Sequence, residues 1–161
     1  MEESPSVINT ARQMLLEKQL KELRNEINQL KKGLADCNER LQKTEESYSS
    51  LSTFRRRVVP AQDNFSGANS SGAKWIDNLV PIMQNNTVAE RYHTGMSRIY
   101  KGVASKFASG LFQNLVDKTN SEMERLKTNM DQLSTKKDSL TKRLNAAESR
   151  YKLIKSDYNS L

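Results

Sequence analysis

With 161 residues, a formal charge of +7 and a mean hydropathy of −0.78, the chain has too little apolar material for a rounded core, and no run nears the ~18 apolar residues of a membrane span. One cysteine, Cys37, and one histidine, His93, exclude an internal disulfide and fall short of the ligand count of a zinc or other transition-metal site, so no metal and no cofactor is expected. That leaves a helical protein held together by narrow seams.

The N-terminus, Met1-Glu2-Glu3, is acidic where a secretory leader is basic, and no apolar core follows it. A cytoplasmic protein is expected, with export without a cleavable signal left open. The charge is unevenly spread. Residues 1–53 carry 8 basic and 9 acidic side chains, whereas 54–122 and 123–161 each carry 9 and 5, so the basic excess belongs to the second and third parts. Basic and acidic residues interleave in the sequence, which favours a solvated surface over a nucleic-acid strip; only Arg55-Arg56-Arg57 forms a run.

After a start containing Pro5, Asn9 or Thr10 supplies a side-chain oxygen able to cap a helix. Apolar residues then step by four and three through Leu16, Leu20, Leu23, Ile27, Leu30, Leu34, Cys37 and Leu41, followed by Thr44, Tyr48 and Leu51. This 3.5-residue period marks a helix that buries one narrow seam against another helix. The first long helix is placed at 9–53, a rod of roughly 65 Å at ~1.5 Å per residue. Cys37 falls on the seam, where plain packing explains it. Gly33 is off the seam, where it costs about 1 kcal/mol relative to Ala.

Residues 54–87 are expected to form a connector. Pro60 ends regular helix, and the Asn, Ser and Gly residues through Gly72 favour turns. Within it a short helix over 74–83 carries Trp75, Ile76, Leu79, Val80, Ile82 and Met83, with Pro81 as a kink. The second long helix occupies 88–161, with a break near 95–102 where Gly95 and Gly102 fall. Val103, Phe107, Leu111 and Leu115 give it an apolar face that hands over, through a stutter, to a second heptad array. That array runs Met123, Leu126, Met130, Leu133, Lys137, Leu140, Leu144, Ala147, Tyr151, Ile154, Tyr158.

Two arrays at the two ends with turn material between them predict an all-α fold in a single domain, 1–161. It is an elongated antiparallel helical hairpin, an intramolecular coiled coil with an irregular, partly helical tip. Flanking charges select the register. When paired residue numbers sum to 174, Leu20 faces Ile154, Leu23 faces Tyr151 and Leu51 faces Met123. Glu17 then lies near Lys155, Arg24 near Glu148 and Glu26 near Arg150, with one like-charge meeting, Arg40 and Lys136. Each exposed pair is worth only about 0.3–0.5 kcal/mol, enough to choose between registers one heptad apart. The reversal then centres near residue 87, and Lys137 faces Cys37 with its stem snorkelling out.

No catalytic constellation is visible: there is no phosphate loop, HExxH, CxxC or GxSxG, and His93 has no partner at readable spacing. An enzyme is therefore not expected, nor a sequence-specific nucleic-acid module.

Tyr100-Lys101-Gly102 resembles the Trp-x-Gly turn of WXG-type small helical proteins. The layout of heptads, connector, this motif and heptads again is similar to the companions encoded beside LXG toxins of the bacterial type VII secretion system. The resemblance implies a helical chaperone or adaptor that binds the N-terminal helical domain of a larger toxin or export substrate, with or without a second small helical companion. Tyr100 then stands where the tryptophan would be, Gly102 matches the glycine, and Phe107 is an aromatic able to pack beside them. No aromatic-x-x-x-acid export signal follows, since Phe112 has Val116 four residues on; the partner would carry it. Apolar residues off the seams, Leu15, Phe54, Val103, Leu111 and Leu115, together with Trp75 and Leu79, are the candidates for partner binding. Two other classes remain: a structural coiled-coil protein that oligomerises through the heptads, and an electrostatic binder of nucleic acid or membrane through Arg55–Arg57 and the basic C-terminal helix.

Overall fold

The computed structural model describes residues 5–82 and 86–160, with side chains for 10–81 and 86–160. Helix α1 runs Pro5–Asn78, α2 Thr87–Lys101 and α3 Val103–Asn159, with a 3-10 turn at Val80–Ile82 after α1. No strand occurs among the described residues. The fold is an all-α helical hairpin, α1 and α3 lying antiparallel, and it divides into two compact units: Met1–Glu45 with Thr128–Leu161, and Glu46–Lys127.

In the first unit the seam is the expected one. Leu16, Ile27, Leu30, Cys37, Leu133 and Ala147 are buried. Leu20, Leu23, Leu34, Leu41, Met130, Leu140, Leu144, Tyr151 and Ile154 are half-buried at the same 4–3 spacing. Ile27, Leu30 and Ala147 form the core cluster, with Leu140, Leu144 and Tyr151 packed on it. This is the predicted register: Ile27 and Ala147 sum to 174, as do Leu30 and Leu144. A Cβ built on Gly33, which is half-buried, would meet Leu140 at 3.8 Å, an ordinary contact. The Cys37 Sγ donates to the Leu133 carbonyl at 3.2 Å, and Lys137 is half-buried.

The edges differ in detail from the expectation. Glu148 pairs with Lys31 at 3.0 Å instead of Arg24, and Glu17 accepts a hydrogen bond from the Tyr158 hydroxyl at 2.8 Å. Glu26 and Arg150 border one depression, and Arg40 and Lys136 share another.

The second unit corrects the connector. α1 begins at Pro5, ahead of the expected caps, and does not stop at Thr53. It passes through Pro60, Gly67 and Gly72 to Asn78 and absorbs the first half of the short helix expected at 74–83, whose Met83 lies outside the described residues. A mid-helix proline costs about 3 kcal/mol through its missing N–H and its clash with the preceding turn. The packing around it outweighs that cost. Pro60 is on the exposed face, while the 4–3 line continues inward through Val58, Gln62, Phe65, Asn69, Gly72 and Ile76.

Several seam layers here are polar. Arg55 Nε donates to Asn120 Oδ1 at 2.7 Å, Gln62 Nε2 to Gln113 Oε1 at 2.8 Å, and Asn69 Nδ2 to Ser105 Oγ at 2.7 Å. All three pairs keep the 174 register to within one residue. Phe65 and Phe112 stack between them at 5.5 Å.

On α3 the inward line is Ser105, Phe112, Val116, Thr119 and Met123. It is in phase with the later heptads, so no stutter occurs. Val103, Phe107, Leu111 and Leu115 point away from the seam, and the stutter expected to join them to the heptads is the second correction. The reason is phase: extended back from Met123 in steps of four and three, the heptad never lands on these four residues.

Beyond Asn78 the Leu79 amide still reaches the Ile76 carbonyl, at 3.1 Å, and Ile76 is fully buried. Asn86 caps α2, its side chain accepting from the amides of Val88 and Ala89 at 3.1 and 3.2 Å. Glu90 in the first turn and Arg98 and Lys101 in the last complement the helix dipole. The expected break near 95–102 falls at Gly102. There the backbone is extended, and any Cβ would collide with the Arg98 carbonyl.

Candidate functional site

The second unit presents apolar side chains to solvent in rows. On α3, Val103 is 85% exposed, Phe107 66%, Leu111 53% and Leu115 41%, at steps of four residues. On α2, Val88, Tyr92 and Ile99 form a comparable row, and near the end of α1 Trp75 and Val80 are about half exposed. The Trp75 and Tyr92 rings meet edge to face at 6.0 Å and 85°, which fixes the α2 row against the last turn of α1. Contiguous exposed apolar side chains of this size mark an interaction surface more often than scattered ones do.

The face of α2 opposite its row explains how it is held. Ala89, His93, Met96, Ser97 and Tyr100 are half-buried. Tyr100 lays its ring over Gly72 of α1, so closely that a Cβ at Gly72 would overlap three ring atoms. Lys101 forms an ion pair with Asp77. Tyr100-Lys101-Gly102 is therefore a structural joint: the tyrosine docks α2 on α1, the lysine ties it, and the glycine turns the chain into α3.

The site residues named from sequence separate into three groups. Tyr100 and Gly102 come together in the joint, but Phe107 is exposed and does not pack beside them. Val103, Leu111, Leu115, Phe54 and Trp75 are exposed in the second unit, while Leu15 is exposed in the first. Leu79 is half-buried and so is not a free contact. Val88, Tyr92 and Ile99 went unnamed; their spacing of four and seven residues was the available signal.

Hydrogen bonding to Arg125 holds the Glu122 carboxyl below its ordinary range, one helical turn apart on the solvent face of α3. All three arginines of the basic run are exposed, and Arg55 donates to Asn120. Among the described residues no three His, Cys, Asp or Glu side chains are grouped to hold a metal ion, and no helix is long and apolar enough to cross a membrane.

Fold and surface together define a helical hairpin with an exposed apolar row on its second long helix. The chain matches no family model, and no curated protein or solved structure is similar enough to it to lend it a family.

Proposed function

We propose that this protein is a non-enzymatic helical adaptor that docks a helix of a larger protein across the α3 row. The observation that carries this reading is the row itself. Phe107, Leu111 and their neighbours lie outside a seam already complete within the chain. Stepping by four, the row forms an i±4n ridge, and two such ridges favour a crossing of about −50° rather than a third coiled-coil strand. Full burial of such side chains is worth about 1.5–3 kcal/mol each, so the remaining exposure of these four offers roughly 4–7 kcal/mol. Association alone costs an estimated 4–15 kcal/mol, so a stable complex needs further contacts, which the α2 row supplies. The resemblance of the layout and of Tyr100-Gly102 to WXG-type companions supports a finer reading. The partner is then the N-terminal helical domain of an LXG-type toxin, and the adaptor acts as its targeting chaperone for bacterial type VII export.

The test is co-purification and calorimetry with such a helical domain. The wild type is expected to bind it, and Phe107→Glu with Leu111→Glu to abolish binding while leaving the melting temperature unchanged, because both side chains are outside the seam. Binding that survives the double substitution, or a monodisperse monomer that captures no helical domain, overturns the reading. The heptads of both arrays are occupied within the chain, so self-assembly through the row is the competing case. Sedimentation equilibrium of the wild type and the double variant distinguishes that case.

A further inference from the structure

The first unit carries a second surface, independent of the α3 row. Along one edge of its seam two depressions of 480 and 310 Å³ adjoin, sharing Arg24 and Tyr151. Together they form one trough. Its floor is the edge of the seam, half-buried Leu20 and Tyr151 over the buried Ile27. Its banks are basic on both sides, with Lys21, Arg24 and Lys31 on α1 and Lys152 and Lys155 on α3.

The charge balance within the trough decides what it suits. Two carboxylates lie there, and both are engaged internally: Glu17 accepts from the Tyr158 hydroxyl at 2.8 Å, and Glu148 pairs with Lys31 at 3.0 Å. Among the described residues, Lys21, Arg24, Lys152 and Lys155 pair with no carboxylate, and they are spread along both helices. The opposite edge is of mixed sign, with Glu22 and Glu26 beside Arg150. Cations that alternate with acids along the sequence are thus sorted by the fold onto one edge.

We propose that this trough receives an amphipathic helix of a partner protein, one whose apolar face is flanked by Glu or Asp. An apolar floor between two basic banks complements such a helix in both hydrophobicity and charge, as the flanking positions of a three-stranded coiled coil do. A nucleic-acid strand fits less well. It would use the banks but not the floor, and Tyr151 is half-buried in the seam instead of offering its face for stacking.

The experiment uses the full-length chain and a fluorescein-labelled peptide of three heptads with Leu at positions a and d and Glu at e and g, which repels itself and stays monomeric. Anisotropy at low salt is expected to show this peptide bound about tenfold or more tightly than the same peptide with Lys at e and g. Arg24→Glu with Lys155→Glu is expected to weaken it by about tenfold or more, whereas Glu22→Gln with Glu26→Gln on the opposite edge leaves it unchanged. Circular dichroism confirms that each variant is folded, and Arg24→Gln with Lys155→Gln replaces the charge reversal should that variant unfold. Equal affinity for the two peptides, or affinity indifferent to the trough substitutions, overturns the proposal. Tighter binding of an oligothymidylate strand, lost on the same substitutions, also overturns it and assigns the trough to a phosphate backbone. Because the α3 row takes no part, the Phe107→Glu/Leu111→Glu variant still binds the peptide, which separates this result from the adaptor test.

Discussion

Replacing two glycines of α1 by alanine should have effects of opposite sign. Helix propensity alone favours Ala over Gly by about 1 kcal/mol at an interior position. At Gly33 the new methyl would sit 3.8 and 3.9 Å from the two Leu140 methyls, in ordinary contact, so Gly33→Ala should stabilise the protein by about 1 kcal/mol. At Gly72 it would overlap the Tyr100 ring. Overpacking of this kind costs about 1–3 kcal/mol, which cancels or exceeds the propensity gain and leaves Gly72→Ala neutral to roughly 2 kcal/mol destabilising. The clash can be removed at its source. In a Tyr100→Ala background Gly72→Ala should recover its ~1 kcal/mol, so the cycle carries a coupling of about 1–3 kcal/mol. Urea unfolding gives the free energies. Trp75, the single tryptophan, reports the second unit by fluorescence, and far-UV circular dichroism reports the whole chain. If Gly72→Ala stabilises as much as Gly33→Ala with Tyr100 intact, the joint does not hold α2 as described.

Ile76→Ala empties a fully buried position and should cost about 2–5 kcal/mol, read from the urea midpoint of Trp75 fluorescence. Pro60→Ala restores a helix amide on an exposed face and should stabilise by roughly 2 kcal/mol, the ~3 kcal/mol of an interior proline less the greater entropy of the unfolded chain. The Tyr158 hydroxyl donates to Glu17, and this bond together with the charge of Glu17 raises the phenol above its ordinary value. A raised folded value means that the contact contributes at and below the unfolded pKa of about 10 and is lost as the pH climbs through the folded one. An ultraviolet difference titration should show one tyrosine moving to lower pH on Glu17→Ala. An unchanged titration would mean that the bond does not persist in solution.

The hairpin of the first unit was legible because its seam is written in bulky apolar residues, and flanking charges were enough to choose among registers that the seam alone leaves degenerate. The same 4–3 phase continues past Leu51, but in residues whose composition suggests something else. Arg55, Gln62, Asn69 and Gly72 resemble a loop when counted by type and a seam when counted by position. Their partners are distant in sequence: Asn120, Gln113 and Ser105 come opposite only in the 174 register, to within one residue, and Tyr100 reaches Gly72 from α2. Pro60 reinforced the error, since a proline stops a helix only when nothing else holds it. On α3 the error was the stutter: the apolar line Val103 to Leu115, off the seam, suggested a handover before Met123, although Phe112, Val116 and Thr119 carry the heptad phase without one. The charge of the trough was illegible for a similar reason. Alternation along a helix sends opposite charges to opposite edges, and only a three-dimensional arrangement shows how they sort.

Cys37, 1% exposed and with its thiol against the Leu133 carbonyl, has a use unrelated to packing. A thiol this enclosed reacts with an alkylating reagent only when the helices around it part, so at reagent concentrations where alkylation outpaces reclosing its modification rate counts openings of the first unit one at a time. The chain thus carries its own clock. An acidic helix seated in the trough, spanning both banks, would slow that clock without touching the sulfur.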